Sequence, residues 1–541
     1  MAFGSFLVRK QKLNKFNLSH ERGFTCNMGE LVPVLCEEVL PGDIWKLSSM
    51  SLIRLQPMVA PIMHNVNVFT HYFFVPARLL QDNWEPFITG GENGDDATPV
   101  PVVKSPAGTG WTAGSLADYL GYVTDVPEYT CTAYQFRAYA KVFNDWYRNQ
   151  NFTEELSLST GDGLDTTTNT TLQNRCWQAD YFTDNLPFAQ RGEPVSLPLD
   201  ISAPVIGNGK TLGLKAGGAN TTGYGLGTGR EVSSTQLSAY TGIYRANAGS
   251  SVSGDTPANG VSLGVTSIAS DSGLVADLTQ ASAITVNALR DAIQLQVAAE
   301  IAARSGGRYV EYLLGNFGVR SADYRLQRPE YLGGGKSPII VSQVLQTSAT
   351  DDATTPQANM AGHGISVNTS HAFKKRFTEH GYILGIMSIM PDTKYFQGSR
   401  RQFNRKSRLD FPLPVFSHLG EQATLEEEIF TQSDNVSTKV GDVTVKNDTI
   451  FGFLPRYEEM RHIPSTVHGD FKNSLKFWHL AREFEQPPLL NEDFIVATPS
   501  KRIFAVTSQK YDSCLVNIGF NISAYRPLPV QGIPGWMDHL F

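Results

Sequence analysis

Residues 57–91 read PMVAPIMHNVNVFTHYFFVPARLLQDNWEPFITGG, and the middle of this stretch decides the fold. Val66, Val68, Thr70, Tyr72 and Phe74 alternate with Asn65, Asn67, Phe69, His71 and Phe73. A period of two marks a strand with one face buried. The second face turns apolar at Phe69 and Phe73, so the end of this strand is expected to be covered on both sides. Pro76 lacks the N–H that a ladder needs and stops the strand. Leu80, Trp84, Phe87 and Ile88 then recur at helical spacing, and Gly90-Gly91 ends a short helix. A strand feeding a Trp-bearing helix is scaffold, with none of the residue pairings of a reaction centre.

Upstream, Leu31–Leu35 and Ile44–Leu55 are apolar segments parted by the turn Pro41-Gly42-Asp43, and read as strands leading into it. Residues 92–115 are polar loop. Leu116–Leu120 and Tyr134–Trp146 read as helices, the second with Tyr139, Val142, Phe143 and Trp146 on one face, a stripe that suits core. Val286–Arg304 is a longer helix, with Leu289, Ile293, Val297 and Ile301 at every fourth residue and a glycine stop at Gly306-Gly307. Tyr309–Leu314 is a second helix, and RLQRPEYLGGGKSPI after it reads as loop. Tyr382–Met390 is a continuous apolar run, hence a fully buried strand. Near the C-terminus Cys514, Val516, Ile518, Phe520 and Ile522 alternate with Leu515, Asn517, Gly519, Asn521 and Ser523. Strong strands near opposite ends of one chain suit a Greek-key or jelly-roll sheet.

A chain of 541 residues has room for two to four domains, or for one large β domain with insertions. Only 18% of its residues are charged and the net charge is −7, which excludes a uniformly basic nucleic-acid coat but leaves room for local basic faces. Cys26, Cys36, Cys131, Cys176 and Cys514 form a sparse odd set with no CxxC, so free thiols are expected rather than a disulfide framework. The start, MAFGSFLVRKQKLNKF, lacks a signal-peptide apolar core, and no apolar run approaches the roughly 18 residues of a membrane span. Synthesis in a reducing cytoplasm is the expectation. Residues 207–283 stand apart: 15 of the 48 glycines, no Phe or Trp, and eight charges in 77 residues. Such a segment cannot build a core alone, and alternation at Val261, Leu263, Val265 and Ile268 suggests small strands in a surface excursion.

Catalytic motifs fail in turn. Gly333-Gly334-Gly335-Lys336-Ser337 ends like a phosphate loop, but Glu330 stands where its first glycine belongs and Pro338 where its helix should start. His363, His371 and His380 match no zinc spacing, and Gly161-Asp162-Gly163-Leu164-Asp165 has too few acids for calcium. No cofactor or metal is expected. Binding chemistry is concentrated in RRQFNRKSR, where Arg400, Arg401, Arg405, Lys406 and Arg408 surround Phe403 without an acid. Cations with an interleaved ring suit single-stranded nucleic acid; a solvated strand edge that blocks aggregation is the competing reading. Five phosphate contacts would give a salt slope of about −3.5, at about 0.7 per contact. Lys374, Lys375 and Arg376 form a smaller cluster. Arg9, Lys10, Lys12, Lys15 and Arg22 face only Glu21, either a phosphate-touching arm or a solvated terminus.

LVPVLCEEVLPGD, MHNVNVFTHYFFVPARLLQDNWEPFITGG, GVRSADYRLQRPEYLGGG, FTEHGYILGIMSIMPD, LGEQA, STVHGDFKNSLKFWHLAREF and the closing GIPGWMDHLF together resemble the major capsid proteins of the Microviridae, small single-stranded DNA phages, and the gokushovirus branch in particular. The resemblance implies a mainly β protein: an eight-stranded antiparallel jelly roll, a β-sandwich with long loop and helical insertions. Sixty copies would close a T=1 icosahedral shell around circular single-stranded DNA, with no enzymatic step. It further implies an internal scaffolding protein, a DNA-pilot protein and a host cell-surface receptor as partners, a virion location, and assembly in the bacterial cytoplasm. The expected organisation is 1–206 (basic arm, first strands, helical insertion), 207–283 (threefold protrusion), 284–362 (helix and loop insertion) and 363–541 (remaining strands and tail). Tyr224, Tyr240 and Tyr244 in the protrusion are receptor-contact candidates. A different class of function, a jelly-roll carbohydrate binder or glycosidase using Trp84, Trp111 or Trp177 as sugar platforms, would need a convergent carboxylate pair that no motif supplies.

Overall fold

Nine antiparallel strands of one sheet, β1 to β9 in chain order, account for most of the strand signals. They are Asn14–Asn17, His20–Cys26, Val32–Val39, Ile44–Leu55, Val66–Pro76, Glu330–Leu345, Met360–Arg376, Gly381–Pro391 and Cys514–Arg526. The computed structural model describes residues 12–93, 95–193, 195, 286–345, 360–508 and 510–530, and the backbone of short strands between 205 and 276. Two units divide the chain: 1–191 with 299–541, and 192–298.

The ladder runs β1-β9-β4-β7-β6-β5-β8-β3, with β2 also on β9. Strands β6 and β7 change partner along their length. Glu330–Ile339 lies on β5 while Ile340–Leu345 lies on β7, and Ile365–Arg376 lies on β4. The two halves of the ladder share one core. Trp45, Leu47 and Ile53 of β4 and Val516, Ile518 and Ile522 of β9 pack in one cluster with Val66, Val68 and Tyr72 of β5 and Ile383 and Met387 of β8. Tyr72 donates to Ser49 Oγ at 2.7 Å, and its ring meets Phe373.

Strand β9 is buried on one face only, while β5 and β8 are buried on both. The second cover is helical. With α1 at Trp84–Thr89, α2 is Leu116–Leu120 and α3 is Tyr134–Val142. Residues of α2 and α3 pack on Phe73, Val75, Leu384 and Ile386 from the side away from the main core. Phe69 and Phe73 therefore read correctly as the start of a second buried face. Arg137 of α3 is sealed beneath this layer. It pairs with Asp165 at 2.8 Å and donates to the carbonyls of Leu80 and Gly161 at 2.7 and 2.8 Å. Hydrogen bonds to a buried cation offset the desolvation that would otherwise cost several kcal/mol.

Most of the anticipated elements form, including the glycine stops, where Gly90 and Gly306 sit at φ 80° and 102°. Two expectations change. RLQRPEYLGGGKSPI is not loop: from Glu330 onward it is strand β6. Gly334 is there for close approach, since a Cβ on it would lie 2.3 Å from the Thr70 carbonyl oxygen of β5. The α3 helix also ends early, at Val142, and Phe143–Tyr147 winds into a π-turn. All five cysteines are free, with Cys26 and Cys514 buried opposite each other between β2 and β9.

In the unit 192–298, short antiparallel pairs join Val205–Gly207 to Leu274–Ala276 and Tyr244–Ala246 to Val252–Gly254. Gly213–Ala216 pairs with both Tyr224–Gly225 and Leu263–Val265. The small strands expected of this core-poor segment are thus present at Leu263 and Val265, while Val261 and Ile268 lie outside the described residues. No helix among the described residues is long and apolar enough to cross a membrane.

The Gly334 contact yields a direct test. Gly334→Ala should lower stability by about 1–3 kcal/mol through overpacking against β5, read as a drop in the denaturant midpoint of the purified chain. A variant as stable as the parent would show that β6 can move away from β5 at no cost.

Candidate nucleic-acid interface

After β8 the chain reaches a small sheet formed by Glu421–Leu425 and Ile450–Pro455, which Arg401 touches at the Ala423 carbonyl. Tyr395 anchors this passage: its ring packs on Phe182 and its hydroxyl donates to Asp180 at 2.8 Å. Gly398 follows, where a Cβ would meet the Glu428 carbonyl at 2.0 Å, so only glycine lets the chain pass. The basic run then forms two short 3-10 turns, Arg401–Phe403 and Arg408–Asp410. Asp410 accepts from the backbone N–H groups of Lys406 and Ser407 at 2.8 and 2.6 Å, and these bonds hold its carboxyl below its usual range.

The five cations separate into two groups. Arg401 donates to the Ala423 carbonyl at 2.8 Å and to Glu428 at 3.2 Å. Glu428 is buried and also accepts from Tyr181 at 2.8 Å. Burial pushes the Glu428 carboxyl up, and Arg401 opposes that shift. Arg405 lies 3.7 Å from Glu459 and over the Phe411 ring, with its Nε and Nη2 free of hydrogen-bond partners. These two arginines help hold the run in place. Arg400, Lys406 and Arg408 have no carboxylate partner among the described residues, and Lys406 and Arg408 are exposed. Phe403 stands between them at 71% exposure. A cleft of about 550 Å³ opens beside them, lined by Arg400, Phe403, Arg405, Ile463 and Lys472.

The second cluster is elsewhere, at the end of β7. Lys374 is exposed opposite Lys46 of β4, Arg376 is exposed opposite Ile44, and Lys375 pairs with Glu330 at 3.1 Å. No hydrogen bond or ion pair among the described residues joins it to 400–408. Tyr240 and the side chains of Tyr224 and Tyr244 lie outside the described residues, as do those of His363 and His371. His380 packs edge-on against Trp84. No cluster of ligands suited to a metal occurs among the described residues. Trp111 is buried among Tyr122 and Phe136, so it is no sugar platform.

Sequence reading missed Glu428 and Glu459, which commit two of the five arginines and lysines. The acid runs at 426–428 and 458–459 were the available signal, but only the fold brings them across from the cations.

Comparison with known proteins follows the same direction. A family model described as "Capsid protein (F protein)" matches residues 8–536. The chain belongs to this phage capsid protein family. It is 38% identical to capsid protein VP1 of Chlamydia phage 1, over 96% of this chain and 95% of the relative. Identity is 35% to capsid protein VP1 of Bdellovibrio phage phiMH2K and 32% to that of Spiroplasma virus 4, with the same coverage of both chains. As a major capsid protein of the Microviridae type it is a structural component of a phage virion that self-assembles into a shell, and not an enzyme. The carbohydrate-binding or glycosidase alternative finds no support among these relatives.

Two residues before Glu428, Glu426 of this capsid protein is 1% exposed, with Oε1 unpartnered, and burial pushes its carboxyl from 4.5 up to about 8. The folded chain keeps this proton while the unfolded chain releases it above pH 4.5. Stability contributed here is therefore full below about pH 4.5 and falls as pH rises towards about 8. Glu426→Gln, which stays neutral, should remove that fall in a series of denaturation midpoints against pH. An unchanged pH profile would assign the loss to other groups.

Proposed function

We propose that sixty copies of this chain close a T=1 icosahedral shell around circular single-stranded DNA, with Arg400, Lys406 and Arg408 on the shell interior meeting phosphates. Arg401 and Arg405 line the same surface and hold the run in position. The observation that carries the DNA contact is the set of cations without carboxylate partners around an exposed Phe403. Guanidinium and ammonium groups neutralise a backbone while a ring stacks a base, without sequence preference. Lys374 and Arg376, with Lys375 at their side, form a second basic patch for the same strand.

Self-assembly is supported by apolar surface that one subunit leaves open. Val415, Ile463 and Phe317 are exposed, and so is the stripe Leu289, Ile293, Val297 and Ile301 of α4, the helix Val286–Ser305. Identical neighbours around rotation axes would bury such surface at no cost in new sequence. The jelly-roll reading is supported by the ladder, which offers two groups of four strands, β2-β9-β4-β7 and β6-β5-β8-β3, around one core.

In this reading 207–283 forms protrusions at the threefold axes, where Tyr224, Tyr240 and Tyr244 are available to a host receptor. An internal scaffolding protein assists closure and a DNA-pilot protein accompanies the genome. The free thiols are in keeping with assembly in a bacterial cytoplasm.

Two measurements test it. Expressed chain should yield small isometric particles by negative-stain imaging; monomers under every assembly condition would overturn the shell. The triple variant Arg400→Ala, Lys406→Ala, Arg408→Ala should reduce the salt slope of single-strand binding by about 2, at about 0.7 per phosphate contact. An unchanged slope would remove 400–408 from the DNA interface.

A further inference from the structure

The face of β5 turned away from the main core carries Phe69, His71 and Phe73, and above it lies a recess that none of the roles assigned so far uses. It has a volume of about 500 Å³ and is walled by the rings of Trp146, Tyr147, Trp177 and Tyr331 over His71 and Phe73. Ring centroids are 5.4 Å apart for Phe73 and Trp146, 5.6 Å for Phe73 and Tyr331, and 5.9 Å for His71 and Tyr147. His71 Nδ1 and the Tyr147 hydroxyl are 2.8 Å apart.

Two backbone irregularities build this recess. The π-turn Phe143–Tyr147 presents Trp146 and Tyr147 side by side, and a break in the β5–β6 register between Tyr331 and Gly333 turns Tyr331 towards them. Both devices cost regular hydrogen bonding and recur where a fold re-aims side chains at a ligand. Tyr331 remains 44% exposed, so the recess is open.

Its polar equipment is incomplete. Gln178 lines it with a buried Nε2 that has no hydrogen-bond partner. Such a donor is costly unless an acceptor arrives. Cations flank the rings: the Arg175 guanidinium is 4.2 Å and the Lys336 ammonium 5.5 Å from the Phe69 centroid, while Arg328, 4.0 Å from the Trp146 ring, is held by Asp323 at 3.0 Å.

We propose that this recess takes one unpaired base of single-stranded DNA, with the adjoining phosphates on Arg175 and Lys336. A planar heteroaromatic ring stacks against the walls, and its carbonyl or ring nitrogen accepts from Gln178. An ammonium or guanidinium side chain from another subunit is repelled by the flanking cations. A phenyl ring from a neighbour would stack, but it offers Gln178 no acceptor and the cations no anion. The proposal rests on the DNA-enclosing reading for the source of the strand, yet it concerns a separate surface on β5, built from other residues than the 400–408 run and its Phe403.

The test compares a fluorescent twenty-nucleotide oligothymidine with an abasic strand of the same length, each titrated into the full-length chain. The base-bearing strand should bind about tenfold more tightly. Tyr331→Ala and Gln178→Ala should each shrink that ratio while leaving abasic binding unchanged, whereas Lys406→Ala with Arg408→Ala should weaken both strands alike. Irradiating wild-type chain with a bromodeoxyuridine strand should cross-link peptides carrying Trp146, Tyr147, Trp177 or Tyr331, a readout independent of whether a variant folds. Equal affinity for the two strands, or cross-links confined to other peptides, overturns the base site and leaves the phosphate contacts standing. Failure to form particles would overturn the shell, while the ratio of the two affinities would still report on the recess.

Discussion

Strand β5 is packed on both faces, with only His71 partly open, and the rest of the subunit is arranged to satisfy that condition. Its Val66, Val68 and Tyr72 side needs the apolar faces of β4 and β9, and its Phe73 and Val75 side needs α2 and α3. A strand covered on both sides must draw its cover from distant parts of the chain, because neighbouring residues alternate between the two faces. Here one cover comes from the two ends of the chain and the other from the segment that follows β5. At about 25 cal/mol per Å² of apolar surface, each fully buried large side chain contributes about 1.5–3 kcal/mol, so losing either cover would remove many such terms at once.

Charge is used economically around this scaffold. Arg137 is spent wholly on architecture, pinning the 159–165 loop beneath α3, while Arg401 is spent on Glu428 and the small sheet. What remains available to a partner is therefore smaller than a count of basic residues suggests. That is compatible with a protein of net charge −7 touching a polyanion, because contact needs only a few local cations in the right place. In the proposed reading the aromatic recess on β5 and the basic run are two separate contacts to the same polymer.

Much of the fold was legible. The period-two runs at 66–74 and 514–523, the apolar run at 382–390 and the glycine helix stops all report local geometry that side-chain alternation and left-handed φ impose directly. The 325–339 stretch was not legible, since three consecutive glycines carry no periodicity. They form strand by pairing with Tyr72, His71 and Thr70 of β5, which approaches so closely that a Cβ at Gly334 has no room. At the candidate site the basic run was visible as composition. The division into two held arginines and three cations without carboxylate partners was not, because Glu428 and Glu459 reach it only through tertiary contact.

The amino-acid sequence by itself determined the alternating strands, the helix ends, the free thiols, the core-poor segment 207–283 and the family to which the chain belongs. These depend on neighbouring residues or on long aromatic-rich blocks that chance does not reproduce. Tertiary structure alone decided which strands become neighbours, which cations keep an open charge, and that Trp146, Trp177 and Tyr331 meet over β5 to line one recess. Those outcomes depend on distances between residues far apart in the chain, and only packing sets such distances.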